Sequence, residues 1–263
     1  MYTNRLKIRI MSKQLLLGLR ALFNRNSAAA ASGAAIPLLD ANGNVIGSDS
    51  IANVAGQMQK KGIDGAPRLG NSVFIATVES DYPRFWLPEY FAASNAANAV
   101  GVMVKDGDNH IVIAKDEAPN PMNWSTSNVS GGTAFLGREA AMKDHDGRAK
   151  TTTIVNTLGD NGLVAKYCQN YYPSNMAENN AFYGKGRWWG PASGDLWMMY
   201  QHFNEINYAL SLINGTLLVR DAHWSISECS TTNAWSLNFI YGSFYYSTKS
   251  TYSFRVRPVS AFY

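Results

Sequence analysis

The sequence contains little charge, few cysteines and no apolar run long enough to cross a bilayer. Only 16% of its 263 residues are charged, two are cysteine and four are histidine. The one candidate targeting segment, Leu15 to Phe23, is interrupted by Arg20. It is far shorter than the roughly 20 apolar residues that a membrane-spanning helix needs. We therefore predict no transmembrane segment.

The scarcity of histidine and cysteine argues against most of the usual catalytic and metal sites. The histidines have neither metal-ligand spacing nor a neighbouring serine or cysteine motif; they are His110, His145, His202 and His223. The run Asp144–Gly147 could be an acid–base cluster, but it is explained more simply as a polar turn before a helix. We predict no catalytic residue, no metal site and no cofactor.

Charge is concentrated at the start of the chain. Six basic residues precede the first acidic residue, Asp40; they are Arg5, Lys7, Arg9, Lys13, Arg20 and Arg25. Because the whole chain carries +4 and this segment carries +6, the remaining residues carry a net charge of −2. A basic stripe of the kind that binds nucleic acid is therefore absent from most of the sequence, and we predict no nucleic-acid partner.

The first 35 residues are predicted to form a basic amphipathic helix, over residues 12–24, followed by a small-residue linker from Ser27 to Ala35. We expect this helix to pack on a partner or on the other chains of a trimer. The alternative is a signal peptide that ends in the Ala28–Ala31 run, since basic residues precede an apolar stretch.

Residues 36–97 are predicted to form a small region for assembly or attachment. Ile36–Leu39 and Val45–Ile46 flank Asn42-Gly43, a strong signal for a tight hairpin turn. Ser50 is a good N-cap for a short helix, and Val73–Val78 has the composition of a strand. The prolines that follow place a domain boundary before residue 98.

From residue 98 the sequence predicts a second, mixed α+β domain. Val100–Val104 and His110–Ala114 are predicted strands joined by the turn Asp106–Asn109. A calcium site on the same turn would need a distal bidentate glutamate, and none follows at the expected spacing. Thr151–Tyr171 is predicted to be helical in part, and Ser193, as N-cap, begins a predicted helix over 193–214.

That last helix has the clearest pattern in the chain. Its apolar residues advance by three and four, as a buried helix face requires; they are Leu196, Met199, Phe203, Ile206, Leu210 and Ile213. Asp195 lies in the first turn, where a negative charge is favourable, and Asn214-Gly215 ends the helix. The stripe is predicted to pack in the core.

The last forty residues interleave two kinds of position. The first kind has the composition of a fixed framework: Trp224, Ser225, Ser227, Glu228, Ala234, Trp235, Leu237, Asn238, Phe239, Gly242, Phe244, Lys249 and Arg255–Val259. The positions between them are mostly Ser, Thr and Tyr, the composition of an adaptable binding surface. Strands are predicted at Ala234–Phe239, Ser243–Tyr246 and Phe254–Val259, and their two-residue period would point one set inward and the other outward.

These motifs resemble the C-type lectin-like variable proteins of diversity-generating retroelements. The resemblance rests on WWGPASGDL (188–196), INYAL (206–210), WSISE (224–228), NAWSLNF (233–239) and RVRPV (255–259). Val102 to Lys115 is similar to the entry strands of the same domain. The resemblance covers residues 98–263 and implies an α+β, C-type lectin-like fold with short twisted strands and two helices.

In that family, a reverse transcriptase copies a template with errors at adenines, so asparagine codons are rewritten. Lys, Glu, Gln, Met and Trp cannot arise in this way. None of these five residue types occurs at the interleaved positions, whereas the Trp, Glu and Lys of the tail fall at positions that match the fixed pattern. The resemblance therefore implies a variable region over residues 224–257.

The resemblance implies a ligand-binding adhesin, of which a phage-tail receptor-binding protein is the favoured form. Its partner would be a protein or glycan receptor on a target cell, and the chain would form a homotrimer in a virion tail or on a cell surface. Its N-terminal region would bind other virion or surface proteins. The predicted binding residues are Ile226, Cys229, Thr232, Ser236, Ile240, Tyr241, Ser243, Tyr245, Tyr246, Thr248, Ser250, Tyr252 and Phe254. Arg255 and Arg257 are predicted to anchor the last strand, with Glu228 as the nearest acidic partner.

Two alternatives remain open. The chain could be a structural virion or surface protein without a direct receptor role, or an enzyme of the formylglycine-generating type. The second is disfavoured because that activity needs paired cysteines: Cys168 lies on a predicted helix and Cys229 at an interleaved position, so we expect no disulfide between them. The Glu-Pro-Asn and Trp-Asn-Asp motifs of calcium-dependent lectins are also missing.

Overall fold

A computed structural model describes residues 35–39, 45–50, 72–79 and 82–261. The chain divides into two compact units between Gly62 and Ile63. In the first unit, strands β1 (Ala35–Leu39) and β2 (Val45–Ser50) pair antiparallel, which confirms the predicted hairpin. The helices predicted over 12–24 and after Ser50, and most of the linker, lie outside the described residues.

The second unit contains a five-stranded antiparallel sheet in the order β12-β6-β5-β3-β4. Its strands are β3 (Ser72–Glu79), β4 (Tyr82–Trp86), β5 (Ala99–Asp106), β6 (Asn109–Ala114) and β12 (Val259–Ser260). Val, Ile and Met fill the central strands, and side chains on both of their faces are buried. The pair predicted around the Asp106–Asn109 turn is confirmed as β5 and β6.

The predicted boundary before residue 98 does not coincide with the division in the structure. Strand β3 pairs with β5 from Ser72↔Lys105 to Thr77↔Ala99, so residues on both sides of that boundary share one sheet. Pro83 and Pro88 therefore mark an edge strand and a short 3-10 turn within the unit. Proline is compatible with both positions, because neither needs its missing N–H.

A second antiparallel sheet carries most of the C-terminal region. Its order is β10-β9-β8, with β8 (Ala222–Glu228), β9 (Asn233–Asn238) and β10 (Ser243–Thr248). The predicted strand Phe254–Val259 is wrong as one element. Its ends join different sheets, because β11 (Ser253–Phe254) pairs with β7 (Met122–Asn123) whereas β12 pairs with β6.

Five α-helices lie in the described part of the second unit, where the resemblance implied two. They are α1 (Arg138–Met142), α2 (Gly147–Leu158), α3 (Leu163–Asn170), α4 (Ser193–Gln201) and α5 (Phe203–Leu212). The helix predicted over 193–214 is divided at His202, whose φ of −104° and ψ of 22° leave the helical region. Its apolar stripe still packs inward, since Phe203 alone of the six is not fully buried.

The start of α4 also differs from the prediction. Ala192 is the N-cap rather than Ser193, and the carboxylate of Asp195 accepts the backbone N–H of Ala192 at 2.9 Å. The Ser193 hydroxyl instead donates to Ser225 on β8 at 2.9 Å. The helix is therefore fixed to the sheet through this serine.

Taken together, the described residues form a mixed α+β structure with antiparallel sheets, as the fold class predicted. Among those residues, none of the helices has both the length and the apolar content to cross a membrane.

Candidate binding surface

The framework and interleaved positions of the tail separate by burial. Every framework residue from Trp224 to Phe239 is buried except Asn238, and so are Phe244, Lys249 and Val256–Val259. The interleaved positions that are exposed are Thr231, Thr232, Ile240, Tyr241, Tyr245, Tyr246, Thr251, Tyr252 and Ser253. The sequence pattern therefore predicts the buried framework, but it predicts the exposed positions only in part, because Ile226, Ser236 and Ser247 are also buried.

Four exposed tyrosines dominate this region, and we call them the tyrosine surface: Tyr241, Tyr245, Tyr246 and Tyr252. Their exposed fractions are 70%, 50%, 70% and 50%. A tyrosine that is half or more exposed offers a large amphipathic contact area with little rotamer entropy to lose on binding. The tyrosine surface follows β10 from the turn before it to the turn after it.

The tyrosine surface does not lie on one sheet face, which corrects the expectation from the two-residue period. Tyr246 is opposite Trp235 across the ladder, and Tyr245 is opposite Ser236. Paired residues share a face, and successive residues of a strand point to opposite faces. Tyr245 and Tyr246 therefore point to opposite faces, and both are exposed on β10, the edge strand of its sheet.

Two predicted binding residues, Ile226 and Ser236, are wrong because both are buried. Ile226 has no exposed surface and packs with Trp224 and Val256. Ser236 is 1% exposed on the central strand, where its hydroxyl lies 3.3 Å from that of Ser247. The pairing register of β8 shifts between Trp224 and Glu228, so simple alternation cannot be carried through this segment.

The other predicted binding residues are exposed or half-buried. Thr232 and Ile240 are exposed, whereas five residues are half-buried: Cys229, Ser243, Thr248, Ser250 and Phe254. The Phe254 ring stacks on Tyr252, with centroids 5.7 Å apart, and packs on Trp224 at 4.7 Å. Tyr252 is therefore held through Phe254 against the buried framework.

The turn between β9 and β10 presents Ile240 and Tyr241 to solvent. Gly242 closes it with φ of +63°, a conformation that favours glycine. A Cβ at this position would also lie 2.5 Å from the ring of Tyr200 on α4. The turn therefore packs directly against α4, and a larger residue at position 242 would displace the turn.

A buried ion pair fixes the other end of β10. Lys249 and Glu228 have fully buried side chains and pair with each other. Lys249 also donates to the carbonyls of Val129 and Thr231, at 2.9 and 2.8 Å. Glu228 accepts the backbone N–H of Gly131 at 2.7 Å. Burial lowers the pKa of Lys249, against the opposing effect of Glu228.

The acidic partner of the C-terminal arginines is Glu117, which corrects the prediction of Glu228. Arg255 binds Glu117 at 2.9 Å and Asp221 at 3.1 Å. Arg257 is fully buried and donates to backbone carbonyls, including that of Ala114 at 3.0 Å, with its Nε 3.9 Å from Glu117. These arginines anchor the tail, as predicted, but to a residue 138 positions away along the chain.

A third polar cluster lies beside the start of α4. His145 Nδ1 is 2.7 Å from Asp195, and this hydrogen bond raises the pKa of the imidazole. A Cβ at Gly194 would lie 2.8 Å from His145 Nε2, so the backbone of α4 approaches the imidazole closely. The nearby hydroxyl of Ser227 is fully buried and donates to Asp144 at 2.5 Å. The arrangement joins α4, β8 and the turn before α2.

No group of three or more acidic, histidine or cysteine side chains within the described residues could hold a metal ion. At the Asp106–Asn109 turn, the ammonium group of Lys105 donates to the carbonyl of Gly107. Cys168 and Cys229 are free thiols, the first buried and the second half-buried.

Comparison with known proteins finds one distant fold relative. No protein-family model matches the sequence, and no curated protein matches it. A crystal structure of a fimbrial protein from Bacteroides ovatus is similar, with a TM-score of 0.50 and 13% sequence identity. The match covers 72% of this chain and 48% of that one, so the chain spans about half the length of its relative. At this identity the similarity concerns the fold.

Proposed function

We propose that this chain is a surface-exposed adhesin that binds a receptor through the tyrosine surface. The observation that carries this proposal is the separation of the tail into a buried framework and an exposed, uncharged set of tyrosines. Exposed substitutions usually cost less than about 0.5 kcal/mol of stability. Such a surface can therefore change its partner without loss of the fold.

The similarity to a fimbrial protein supports a surface location for this chain, and the role of an adhesin is our own addition to the proposal. A phage tail is the other setting that the sequence favours. We further propose that residues 98–263 have the C-type lectin-like architecture of the variable proteins, and that the N-terminal residues hold the chain in a trimer or in a larger assembly.

The tyrosine surface is tested by replacing Tyr245 and Tyr246 with alanine together. Labelled protein is screened against a panel of bacterial cells, and the affinity of both proteins is measured on the cells that bind. Because each aromatic anchor can contribute about 2 kcal/mol, we expect at least about tenfold weaker binding with an unchanged melting temperature.

The matched control replaces Tyr82 and Tyr208, which are also exposed but lie far from the tail in sequence, on β4 and α5. This control should bind cells like the parent chain. Two results would show that the tyrosine surface does not bind the receptor. One is an equal loss of cell-binding affinity in both double variants, and the other is a melting temperature that falls by many degrees in the Tyr245 and Tyr246 variant alone.

Membership of the variable proteins is tested in the flanking DNA. We expect a near-identical repeat of the segment encoding residues 224–257 beside a reverse transcriptase gene. The repeat should carry adenines at the codons for Tyr241, Tyr245, Tyr246 and Tyr252, and identical sequence at the framework codons. Sequencing that finds no such repeat would refute the mechanism of diversification and leave the binding proposal standing.

A further inference from the structure

The outer edge of β10 is long, regular and uncharged. Its six residues contain no proline, glycine or charged side chain, and their register with β9 runs without a bulge. Among the described residues no strand pairs with this edge. Soluble proteins usually blunt such edges with charge, proline or irregularity, because an open edge is a template for another strand.

Two other sheet edges in the second unit are protected. Edge strand β4 contains Pro83 and the charged Arg84, whose guanidinium binds Glu79 at 2.8 Å. The outer edge of β8 is covered by the chain itself, since the N–H of Trp224 donates to the carbonyl of Arg255 at 2.9 Å. The open edge of β10 is therefore a local exception within the same unit.

The hydrogen bonds at the end of β10 show which backbone groups point away from β9. The N–H of Lys249 donates to Thr232, next to β9, at 3.0 Å. The carbonyl of Thr248 points the other way and accepts from Thr251 and Tyr252, each at 3.3 Å. Backbone direction alternates along an antiparallel strand. The N–H and C=O groups of Phe244 and Tyr246 therefore point to the open edge.

We propose that an extended, uncharged segment of the receptor protein adds to β10 as a fourth strand, through the backbone groups of Phe244 and Tyr246. This inference rests on the proposed function and specifies its partner and geometry. Strand addition to an exposed edge supplies affinity through the main chain and specificity through alternate side chains.

The two faces of the edge explain why this occupant is favoured. Tyr245 and Tyr246 project to opposite sides of the sheet, so one flat partner cannot contact both. A strand beside β10 places its own side chains alternately on the same two faces, where each tyrosine meets a neighbour. One extended segment therefore uses both exposed tyrosines.

The lack of charge around β10 limits the composition of the receptor segment that can bind there. Between Glu228 and Arg255 the only charged residue is Lys249, which is buried and paired. A partner strand with charged residues would lose hydration here without gaining an opposite charge. We therefore expect aromatic, β-branched and hydroxyl side chains in the segment that binds.

The test compares Tyr246→Pro with its matched control Tyr246→Ala in the full chain. Both variants lack the tyrosine ring, and only the proline variant lacks the outward N–H. Proline at this position leaves the ladder to β9 intact. The probe is a set of linear peptides recovered from a random dodecapeptide phage library panned against the parent chain. We expect them to bind Tyr246→Pro at least about tenfold more weakly than Tyr246→Ala.

Amide exchange followed by NMR gives a second measurement that needs no variant. In the free chain the amides of Phe244 and Tyr246 should exchange quickly while those of Tyr245 and Ser247 are protected. Saturation with a recovered peptide should protect Phe244 and Tyr246. Any of three results would overturn the inference. The peptides could bind the two variants with equal affinity, the library could yield no linear peptide, or the amides of Phe244 and Tyr246 could be protected in the free chain.

Two further outcomes identify other causes. If the parent chain dimerises and Tyr246→Pro abolishes the dimer, the occupant is a second copy and the inference is wrong. If alanine at Tyr245 and Tyr246 weakens cell binding while the peptides bind Tyr246→Pro and Tyr246→Ala equally, the proposed function stands and strand addition fails.

Discussion

Replacing Lys249 with methionine is expected to destabilise the chain by about 3–5 kcal/mol. The substitution keeps most of the side-chain volume but leaves the carboxylate of Glu228 buried without a counter-charge. Removing one partner of a buried ion pair typically costs this much. It also leaves the carbonyls of Val129 and Thr231 without their donor. Urea denaturation, compared at constant m-value, measures the loss.

Two controls separate the buried charge from a general effect of losing a lysine. Lys143 forms an exposed i,i+4 pair with Glu139, and Lys143→Met should change stability by less than about 0.5 kcal/mol. Adding Glu228→Gln to Lys249→Met should restore part of the loss, because the uncompensated charge is removed. A loss in Lys249→Met no larger than that in Lys143→Met would contradict the structural role of the pair.

Replacing Glu117 with glutamine is expected to cost about 3 kcal/mol at pH 7. One oxygen of Glu117 meets His223 Nε2 at 3.0 Å, and the other accepts from Arg255 at 2.9 Å. Glutamine keeps the shape but removes the charge that these groups and Arg257 share. Most of the expected loss of stability comes from removing one partner of a buried charge pair. Thermal and urea unfolding measure it, and exposed Glu178→Gln, which pairs with Lys185 at the surface, is the matched control.

The cost of Glu117→Gln should depend on pH in one direction. Burial alone would raise the pKa of Glu117, but the hydrogen bond and charge of His223, the charge of Arg257 and the hydrogen bond from Arg255 lower it below its ordinary value of 4.5. A carboxyl with a lowered folded pKa stabilises the fold above its unfolded pKa, and this contribution is lost as the pH falls through the folded pKa. The difference in the free energy of unfolding between the parent chain and Glu117→Gln should therefore be constant near pH 7 and shrink below about pH 4.5. A difference that grows on acidification would show that another group titrates.

Much of the second unit could be predicted from local patterns. The Asp106–Asn109 turn between two apolar runs predicted β5 and β6, and strand-like alternation predicted β9 and β10. The composition of the tail also predicted the exposure of Tyr245, Tyr246 and Tyr252. These features depend on the two-residue period and on turn chemistry, which act over a few neighbouring residues.

The features that the sequence could not supply depend on distant residues. Ile226 and Ser236 belong to strands with both faces covered, and burial of the second face comes from segments far along the chain. The partners of Arg255 and Lys249 have the same origin: Glu117 and the loop around Val129 lie more than 100 residues earlier. The division of the 193–214 helix at His202 leaves the apolar stripe unchanged, so periodicity could not show it.

The ammonium group of Lys249 is held partly by main-chain oxygens of residues 129, 230 and 231. Every amino acid supplies the same carbonyl, so this anchor does not depend on which side chain occupies position 231. The hydroxyl of Ser230, by contrast, accepts the backbone N–H of Asn233 at 3.0 Å and helps to fix the turn. Position 231 can therefore vary in chemistry while the backbone path of the loop before β9 stays constant.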